Sequence, residues 1–520
     1  MHKSARHSGG KKYTMSSNQI GFVQIIKNSA KRFPDKLALV YDGQHETYSQ
    51  FLCHVNNLSC MLREKGIRAG DRVAIISENC IEYLEAEFAI YQIGAIAVKI
   101  NWRMTTDEIS YILKCNDVIF AFLGDRLKAE PEALQTANPN VAFLLMSGNA
   151  VFEHLRKDGA GTYTGTEINS ASTAVIVHTS GTTGRPKFVH YTHADLMNKV
   201  QIGIENLPFT PKTRFLMIEQ LFHIASMRAY MTLAGGGTLV LIRNFKPEEY
   251  LHTMERENVN SLGMVPSTLK MLMDTPQLEA YDLGAIEYVN YSTSSMPYPL
   301  IKEAIKRFEC GFYQIYGMTE MLGFVTMLTP EDHLNGHIGT VGRPIGGYEL
   351  RIEKCDGTVC SANETGEILI HGPVMMHGYL NNPELTQQVL TDGWYHTKDL
   401  GFLDEDGYLH VCGRKDDLII SGGENIYPQE ILNVLYELRD DIREAAVYGV
   451  SDPIWGQAVW ASIVLHDGSA LTPEQLREYC KQNLANYKVP KGFDFRPQLP
   501  RTATDKIDVK RLAQEVTAHA

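Results

Sequence analysis

Short apolar segments alternate with helical segments along most of the chain, and this alternation limits the fold more than any other feature. Strands are predicted at Leu37 to Tyr41, Arg72 to Ile76 and Ala95 to Ile100, with a helix from Cys80 to Ile93 before the last of them. Further strands are expected at 259–265 and 287–291. Strands joined by crossover helices form α/β sheets. The larger part of the chain is therefore predicted to be doubly wound.

After Tyr348 the pattern changes to hairpins, with Asp356-Gly357 and Asp406-Gly407 as turn dipeptides between alternating apolar residues. Such turns indicate a distorted β-barrel or antiparallel sheet. A small α+β unit follows, in which a helix begins at Pro428 and a second helix begins at Thr472 with a capping box. The predicted division is a disordered leader at 1–17, a large domain at 18–413 and a small mobile domain at 414–520.

Composition excludes several classes of function. The net charge of -12 and the absence of a long basic run argue against a nucleic-acid partner. The nine cysteines show no C-x-x-C pair or zinc-ligand spacing, so we expect a reducing, cytoplasmic environment without disulfides or structural zinc. The longest apolar segment, 88–98, is shorter than the ~20 residues needed to span a bilayer, so no transmembrane anchor is expected.

A glycine-rich stretch from His178 to His193 reads HTSGTTGRPKFVHYTH. Its glycines allow backbone amides to converge on an anion, the hydroxyls add donors, and Lys187 adds a positive charge. Apolar runs on both sides predict that it joins two strands, and its spacing differs from that of a Walker loop. Taken alone, it is either a phosphate-binding loop or an ordinary solvated turn.

A second rare string, YGMTE at 316–320, follows downstream in the order found in one family. With SGTTGRPK it resembles the acyl-adenylate-forming superfamily: acyl-CoA synthetases, stand-alone adenylation domains and luciferases. The resemblance covers residues 18 to 515 and implies an AMP-forming acid–thiol ligase with a large N-terminal part and a small C-terminal lid. ATP, Mg²⁺ and coenzyme A are the implied cofactor and co-substrates.

The resemblance also assigns nucleotide-binding residues. The β- and γ-phosphates would be held around Lys187, Mg²⁺ by Glu320, and the ribose by Asp399 and Arg414, which suits a hard cation and a carboxylate that accepts two hydroxyl groups. The full set implied for ATP and AMP is Thr179, Ser180, Gly181, Thr182, Thr183, Gly184, Lys187, Ser292, Thr293, Ser294, Tyr316, Gly317, Met318, Thr319, Asp399 and Arg414.

Three residues are implied in the chemistry: Lys506, which bridges carboxylate and phosphate during adenylation, His223 beside the acyl carboxylate, and Thr319 at the α-phosphate. Gly422 and Gly423 would line a thiol tunnel after rotation about a hinge at Asp416. The acyl pocket is expected from a mostly apolar set without a counter-charge for a second carboxylate: His223, Ile224, Ser226, Met227, Tyr291, Gln314, Gly317, Met318, Met321 and Leu322.

The sequence departs from the family pattern at four positions. Asp505 and Lys398 replace glycines, Phe188 replaces a glycine after Lys187, and Gln220 replaces a proline. Asp505 is expected to pair with Lys506 and slow adenylation.

The leading hypothesis is an acid:CoA ligase for a medium- or long-chain fatty or an aryl monocarboxylic acid. Two alternatives stay open: an enzyme that loads a carrier protein, and a nucleotide-binding module with impaired catalysis. The oligomeric state, including a homodimer, also stays open.

Overall fold

The computed structural model describes residues 21–146, 150–155, 163–165, 167–179, 186–276, 278–292, 296–501 and 507–519. The predicted leader at 1–17 lies outside this range. Within the described residues, no helix combines the length and apolar character required to cross a bilayer.

The first part of the chain alternates as predicted. Its helices and strands are α1 Gln24–Arg32, β1 Leu37–Tyr41, β2 Gln44–Thr47, α2 Tyr48–Glu64, β3 Arg72–Ile76, α3 Ile81–Gln92, β4 Ile96–Ile100, α4 Thr106–Cys115, β5 Val118–Leu123, α5 Pro131–Ala137, β6 Ala142–Leu145 and α6 Ala150–Leu155.

The central part continues the alternation. Its elements are β7 Thr173–Thr179, β8 Lys187–Thr192, α7 His193–Asn206, β9 Arg214–Met217, α8 Met227–Ala234, β10 Thr238–Leu241, α9 Pro247–Arg256, β11 Ser261–Met264, α10 Pro266–Met273, β12 Tyr288–Tyr291, α11 Tyr298–Phe308, β13 Gly311–Met318, β14 Gly323–Leu328, α12 Pro330–Leu334 and β15 Arg343–Pro344.

Two large sheets result. One has nine strands in the order β15-β14-β13-β12-β11-β9-β10-β1-β2, and the other has six in the order β6-β5-β3-β4-β7-β8. The central strands of both are parallel, and the antiparallel pairs lie toward the edges. A capping box formed by Thr192 and Asp195 begins α7.

The last third contains a five-stranded antiparallel half-barrel and a small α+β unit. The elements are β16 Glu349–Glu353, β17 Gly366–His371, α13 Pro383–Val389, β18 Leu390–Thr391, β19 Trp394–Leu403, β20 Leu409–Arg414, β21 Ile419–Ser421, β22 Glu424–Ile426, α14 Pro428–Leu435, β23 Ile442–Asp452, β24 Gly456–Leu465, α15 Pro473–Asn483, β25 Gly492–Phe495 and α16 Val509–His519. The predicted fold class is confirmed.

A buried lysine joins the six-stranded sheet to its own helix α3 and to α8, which connects two strands of the nine-stranded sheet. Lys99, at 2% exposure on β4, forms an ion pair with Glu87 on α3 at 2.8 Å. It also donates to Ser226 Oγ at 3.0 Å and to Tyr230 OH at 3.1 Å. All three ammonium hydrogens thus have acceptors, which offsets the cost of burying the charge. The start of α8 is fixed to β4 by these contacts.

We expect Lys99→Met to lower the free energy of unfolding by about 3–5 kcal/mol, because Glu87 is left as a buried charge without its partner. The measurement is the shift in the urea unfolding curve. The control is Lys354→Met, because Lys354 pairs with Glu364 and both side chains are 44% exposed. Equal, small shifts for the two variants would contradict the role given to Lys99.

Candidate active site

A cleft of about 2670 Å³ is lined by the nine-stranded sheet, the half-barrel and the C-terminal unit. Most of the described residues that the sequence predicted for the site meet on its walls. They are Thr179, Lys187, His223, Ile224, Met227, Ser292, Gln314, Tyr316, Gly317, Met318, Thr319, Glu320, Asp399, Arg414 and Asp416.

The hairpin β7–β8 forms one end of the cleft. Thr179 and Lys187 are partners in its antiparallel register, so the glycine-rich stretch connects two strands as predicted. Ser180, Gly181, Thr182, Thr183 and Gly184 lie outside the described residues. Burial lowers the pKa of Lys187, while the nearby Glu320 carboxylate opposes the shift. The Lys187 ammonium lies 5.1 Å from the centre of the Tyr379 ring.

Glu320 lies in the 3₁₀ turn Thr319–Met321 directly after β13. The Tyr379 hydroxyl donates to its Oε1 at 2.7 Å, and its backbone carbonyl accepts from Met376 N at 2.8 Å. No lysine or arginine among the described residues forms an ion pair with this carboxylate. A half-buried carboxylate oriented by a neutral hydroxyl is a suitable ligand for Mg²⁺, which prefers oxygen donors.

Three side chains form a hydrogen-bonded group on the half-barrel side. Asp399 and Arg414 are opposite each other on β19 and β20, with Nε 2.8 Å from Oδ1. The Tyr316 hydroxyl donates to Asp399 Oδ2 at 2.6 Å. The two contacts orient the Asp399 carboxylate, with one partner on each oxygen. The arrangement fits the two hydroxyl groups of a ribose.

The structure explains two of the four departures from the family pattern. Lys398 adopts φ 61°, in the left-handed region, which explains why glycine is usual there and implies a cost of roughly 1–2 kcal/mol. Its side chain is exposed. Gln220 Oε1 accepts from Trp102 Nε1 at 2.9 Å and so links the cleft wall to the six-stranded sheet. Asp505 lies outside the described residues.

The acyl end of the cleft is built from β9, α8 and β13. His223 is exposed and precedes the 3₁₀ turn Ile224–Ser226, where its Nδ1 accepts from Ala225 N at 3.4 Å. At Gly317, a Cβ atom would lie 1.8 Å from the carbonyl oxygen of Gly323, so only glycine fits between β13 and β14.

Four predicted pocket residues lie behind the cleft wall rather than on it. Ser226 is 2% exposed and accepts from Lys99, while Met321 and Leu322 are fully buried in the main hydrophobic core. Tyr291 is buried in the second hydrophobic cluster, where its hydroxyl donates to Gln314 Oε1 at 2.9 Å and lies 2.8 Å from His333 Nε2. Side chains alternate between faces along a strand, which separates Tyr291 from Ser292.

Several wall residues were not predicted. Glu219 and Arg228 line the cleft as an ion pair, together with the apolar Phe222, Met231 and Val265. The available signal was two opposite charges at the ends of the largely apolar segment EQLFHIASMR. Without the fold, neither charge indicated that it belonged to the site.

The C-terminal unit closes the remaining side. Arg501 and Ile507 line the cleft and pair with each other across residues 502–506. Lys506, between them, lies outside the described residues, as do Thr293 and Ser294 near Ser292. Gly422 and Gly423 form the β21–β22 turn with φ of 61° and 89°, and among the described residues they are not part of the cleft lining.

Comparisons with known proteins agree with this geometry. The family model described as AMP-binding enzyme matches residues 26–380, and the AMP-binding enzyme C-terminal domain matches 430–506. The chain belongs to the AMP-binding enzyme family. The prediction of an acyl-adenylate-forming enzyme, and of an AMP-forming acid–thiol ligase, is confirmed.

Relatives extend over nearly the whole chain. It is 34% identical to a feruloyl-CoA synthase from Amycolatopsis sp over 92% of this chain and 95% of that protein. It is 30% identical to a long-chain-fatty-acid–CoA ligase from Bacillus subtilis over 95% and 94%. Among solved structures, the o-succinylbenzoate coenzyme A synthetase from Bacillus subtilis with ATP and magnesium matches with a TM-score of 0.82, 31% identity, and coverage of 94% and 98%.

We expect Asp399→Asn to weaken AMP binding about tenfold or more, because an amide accepts fewer hydrogen bonds than a carboxylate and no longer pairs with Arg414. Isothermal titration with AMP measures the effect. Asp404→Asn is the control, since Asp404 pairs with His410 at 2.9 Å in the same half-barrel outside the cleft lining. Unchanged AMP affinity in Asp399→Asn would exclude it as the ribose contact.

Proposed function

We propose that the protein is an ATP-dependent carboxylic acid:CoA ligase that acts in two half-reactions. The observation that carries the proposal is the convergence of Lys187, Glu320 and Asp399 on one cleft that the C-terminal unit also lines. These groups suit, in order, the terminal phosphates, a divalent cation and the ribose of ATP. The relatives' names support CoA as the acceptor.

In the first half-reaction, a carboxylate oxygen of the acid attacks the α-phosphorus of ATP. An O–P bond forms to give acyl-AMP, the bond between the α-phosphorus and the bridging oxygen breaks, and pyrophosphate leaves. Mg²⁺ bound at Glu320 would offset phosphate charge when present. Lys187 would hold the departing pyrophosphate, Thr319 the α-phosphate and Lys506 the two reacting anions. His223 would orient the acyl carboxylate.

In the second half-reaction, the CoA thiolate attacks the acyl carbon and AMP leaves. Lys506 would act near the reacting atoms in the first step and the Gly422-Gly423 turn in the second, although the two are more than 80 residues apart in the sequence of the C-terminal unit. We infer a rotation of the unit 414–520 about Asp416 between the two steps. Because Gly422 and Gly423 have no side chains, they would leave room for a pantetheine arm.

The acid is proposed to be a fatty or aryl monocarboxylic acid. Phe222, Ile224, Met227 and Met231 give the acyl end of the cleft a largely apolar surface. The relatives' names include both an aryl and a long-chain fatty acid. Apolar pockets discriminate mainly by shape, so this wall alone is compatible with either class.

The direct test is incubation with ATP, Mg²⁺, CoA and a mixture of fatty and aryl acids, followed by mass spectrometry. We expect at least one CoA thioester, with AMP as the nucleotide product. A parallel reaction with a phosphopantetheinylated carrier protein tests the alternative acceptor. Acid-dependent pyrophosphate exchange with no CoA thioester from any acid would contradict the ligase and favour the carrier-loading enzyme.

We expect Lys506→Ala to abolish pyrophosphate exchange while thioester formation from supplied acyl-AMP stays within about tenfold of the wild type, since Lys506 acts only in adenylation. The control is Lys481→Ala, on the surface of α15. Equal loss of both half-reactions would contradict the two-conformation account.

A further inference from the structure

The cleft wall contains an ion pair to which the nucleotide chemistry gives no role. Arg228 Nη1 lies 2.8 Å from Glu219 Oε1, and the two side chains are only 4% and 6% exposed. Arg228 Nη2 also donates to Ser292 Oγ at 2.8 Å. All three residues line the cleft. A polar and largely buried patch therefore interrupts the apolar surface at the acyl end of the cleft.

Several polar atoms of this patch lack hydrogen-bond partners in the described structure. They are Glu219 Oε2 and Arg228 Nε on the cleft wall, and both side-chain amide atoms of Asn290, which is fully buried and, among the described residues, lies behind the cleft lining rather than on it. Buried polar groups are nearly always hydrogen-bonded, to protein, water or ligand. A group from outside the chain is the natural partner for such a cluster.

Strand register brings these atoms to one place. Asn290 on β12 is in register with Gly263 on β11, and residues in register on adjacent strands face the same side of the sheet. A Cβ atom on Gly263 would lie 2.7 Å from Glu219 Oε2. The missing side chain of Gly263 thus makes room for the Glu219 carboxylate beside Asn290. We call Glu219, Arg228 and Asn290 the distal polar cluster.

We propose that the distal polar cluster receives an uncharged hydrogen-bonding group, such as a hydroxyl, at the end of the acid remote from its carboxylate. The inference rests on the proposed ligase function and narrows its substrate class. A hydroxyl can donate to Glu219 and accept from Arg228 or Asn290, which matches the unpartnered atoms. Phe222, Met227 and Met231 supply apolar contacts for the rest of the acid.

Charge decides against other groups at this position. The Glu219–Arg228 pair is neutral as a whole, so the cluster has no net positive charge to balance a second carboxylate and no net negative charge to balance an ammonium. A hydrocarbon end would leave the buried polar atoms unpaired, which is unfavourable. Sites built to bond a substrate hydroxyl reject analogues that lack it far more strongly than apolar pockets reject a missing methylene.

The test compares acids that share a skeleton and differ at the far end. Cinnamic acid is paired with 4-hydroxycinnamic acid, and octanoic acid with 8-hydroxyoctanoic acid, while 4-carboxycinnamic acid probes a second charge. The readout is kcat/KM for acid-dependent pyrophosphate exchange, with thioester formation measured in parallel. We expect the hydroxylated member of at least one pair to be favoured by about tenfold or more, and the dicarboxylic acid to be disfavoured.

Two outcomes of this test distinguish failure of the inference from failure of the proposed function. If kcat/KM agrees within about twofold in both pairs while thioesters form, the ligase stands and the inference fails, with water as the occupant of the cluster. If no acid supports exchange or thioester formation, the proposed function itself fails, and the inference with it.

Two variants locate the preference in the cluster. Asn290→Leu removes its amide, and the double variant Glu219→Gln/Arg228→Met removes both charges together so that neither is left unpaired. We expect both to reduce the hydroxyl preference to about twofold, and we expect KM for ATP to be unchanged in Asn290→Leu, which keeps the contact of Arg228 with Ser292. Asn116→Leu is the matched control, because Asn116 is also fully buried with an unpartnered amide oxygen but ends α4 outside the cleft lining. If both cluster variants still prefer the hydroxylated acid, the inference is wrong. If the variants do not fold, the comparison of the acid pairs with the wild-type protein decides the question.

Discussion

The ion pair between Asp399 and Arg414 is the contact on which the arrangement of the site depends. Its carboxylate is 8% exposed, and a charge so deeply placed needs a partner. Arg414 is the last residue of β20, and the turn Lys415–Asp417 that contains the proposed hinge follows at once. The same pair therefore orients the carboxylate proposed to bind the ribose and lies directly before the proposed hinge.

The second constraint is that an acidic chain has to bind a polyanion. With a net charge of -12, the protein offers positive charge to the nucleotide only locally. Arg414 is paired with Asp399, and the Lys187 ammonium lies near the Glu320 carboxylate. The cleft is thus nearly balanced in charge before ligands bind, which is consistent with a cation arriving together with ATP.

Local hydrophobic patterns in the sequence predicted the strands of the two large sheets, because these strands are short and buried. The segments Leu37–Tyr41 and Arg72–Ile76 form strands with the predicted bounds, and the hairpin around Lys187 joins two strands as expected. Side-chain direction near strand ends was less predictable, as Tyr291 illustrates. The Glu219–Arg228 pair was missed for a different reason: its proposed role depends on Gly263, which leaves space for the Glu219 carboxylate, and on Asn290, which only the sheet register brings next to Gly263.

The central claim is that the cleft forms and holds an acyl-adenylate. The most direct measurement is to mix the protein with ATP, Mg²⁺ and an accepted acid in the absence of CoA, separate the protein rapidly and identify the bound nucleotide by mass spectrometry. The account predicts acyl-AMP bound to the protein in near-equal proportion, with pyrophosphate released. ADP as the product, or ATP that stays intact in the presence of an acid that yields thioester with CoA, would contradict it.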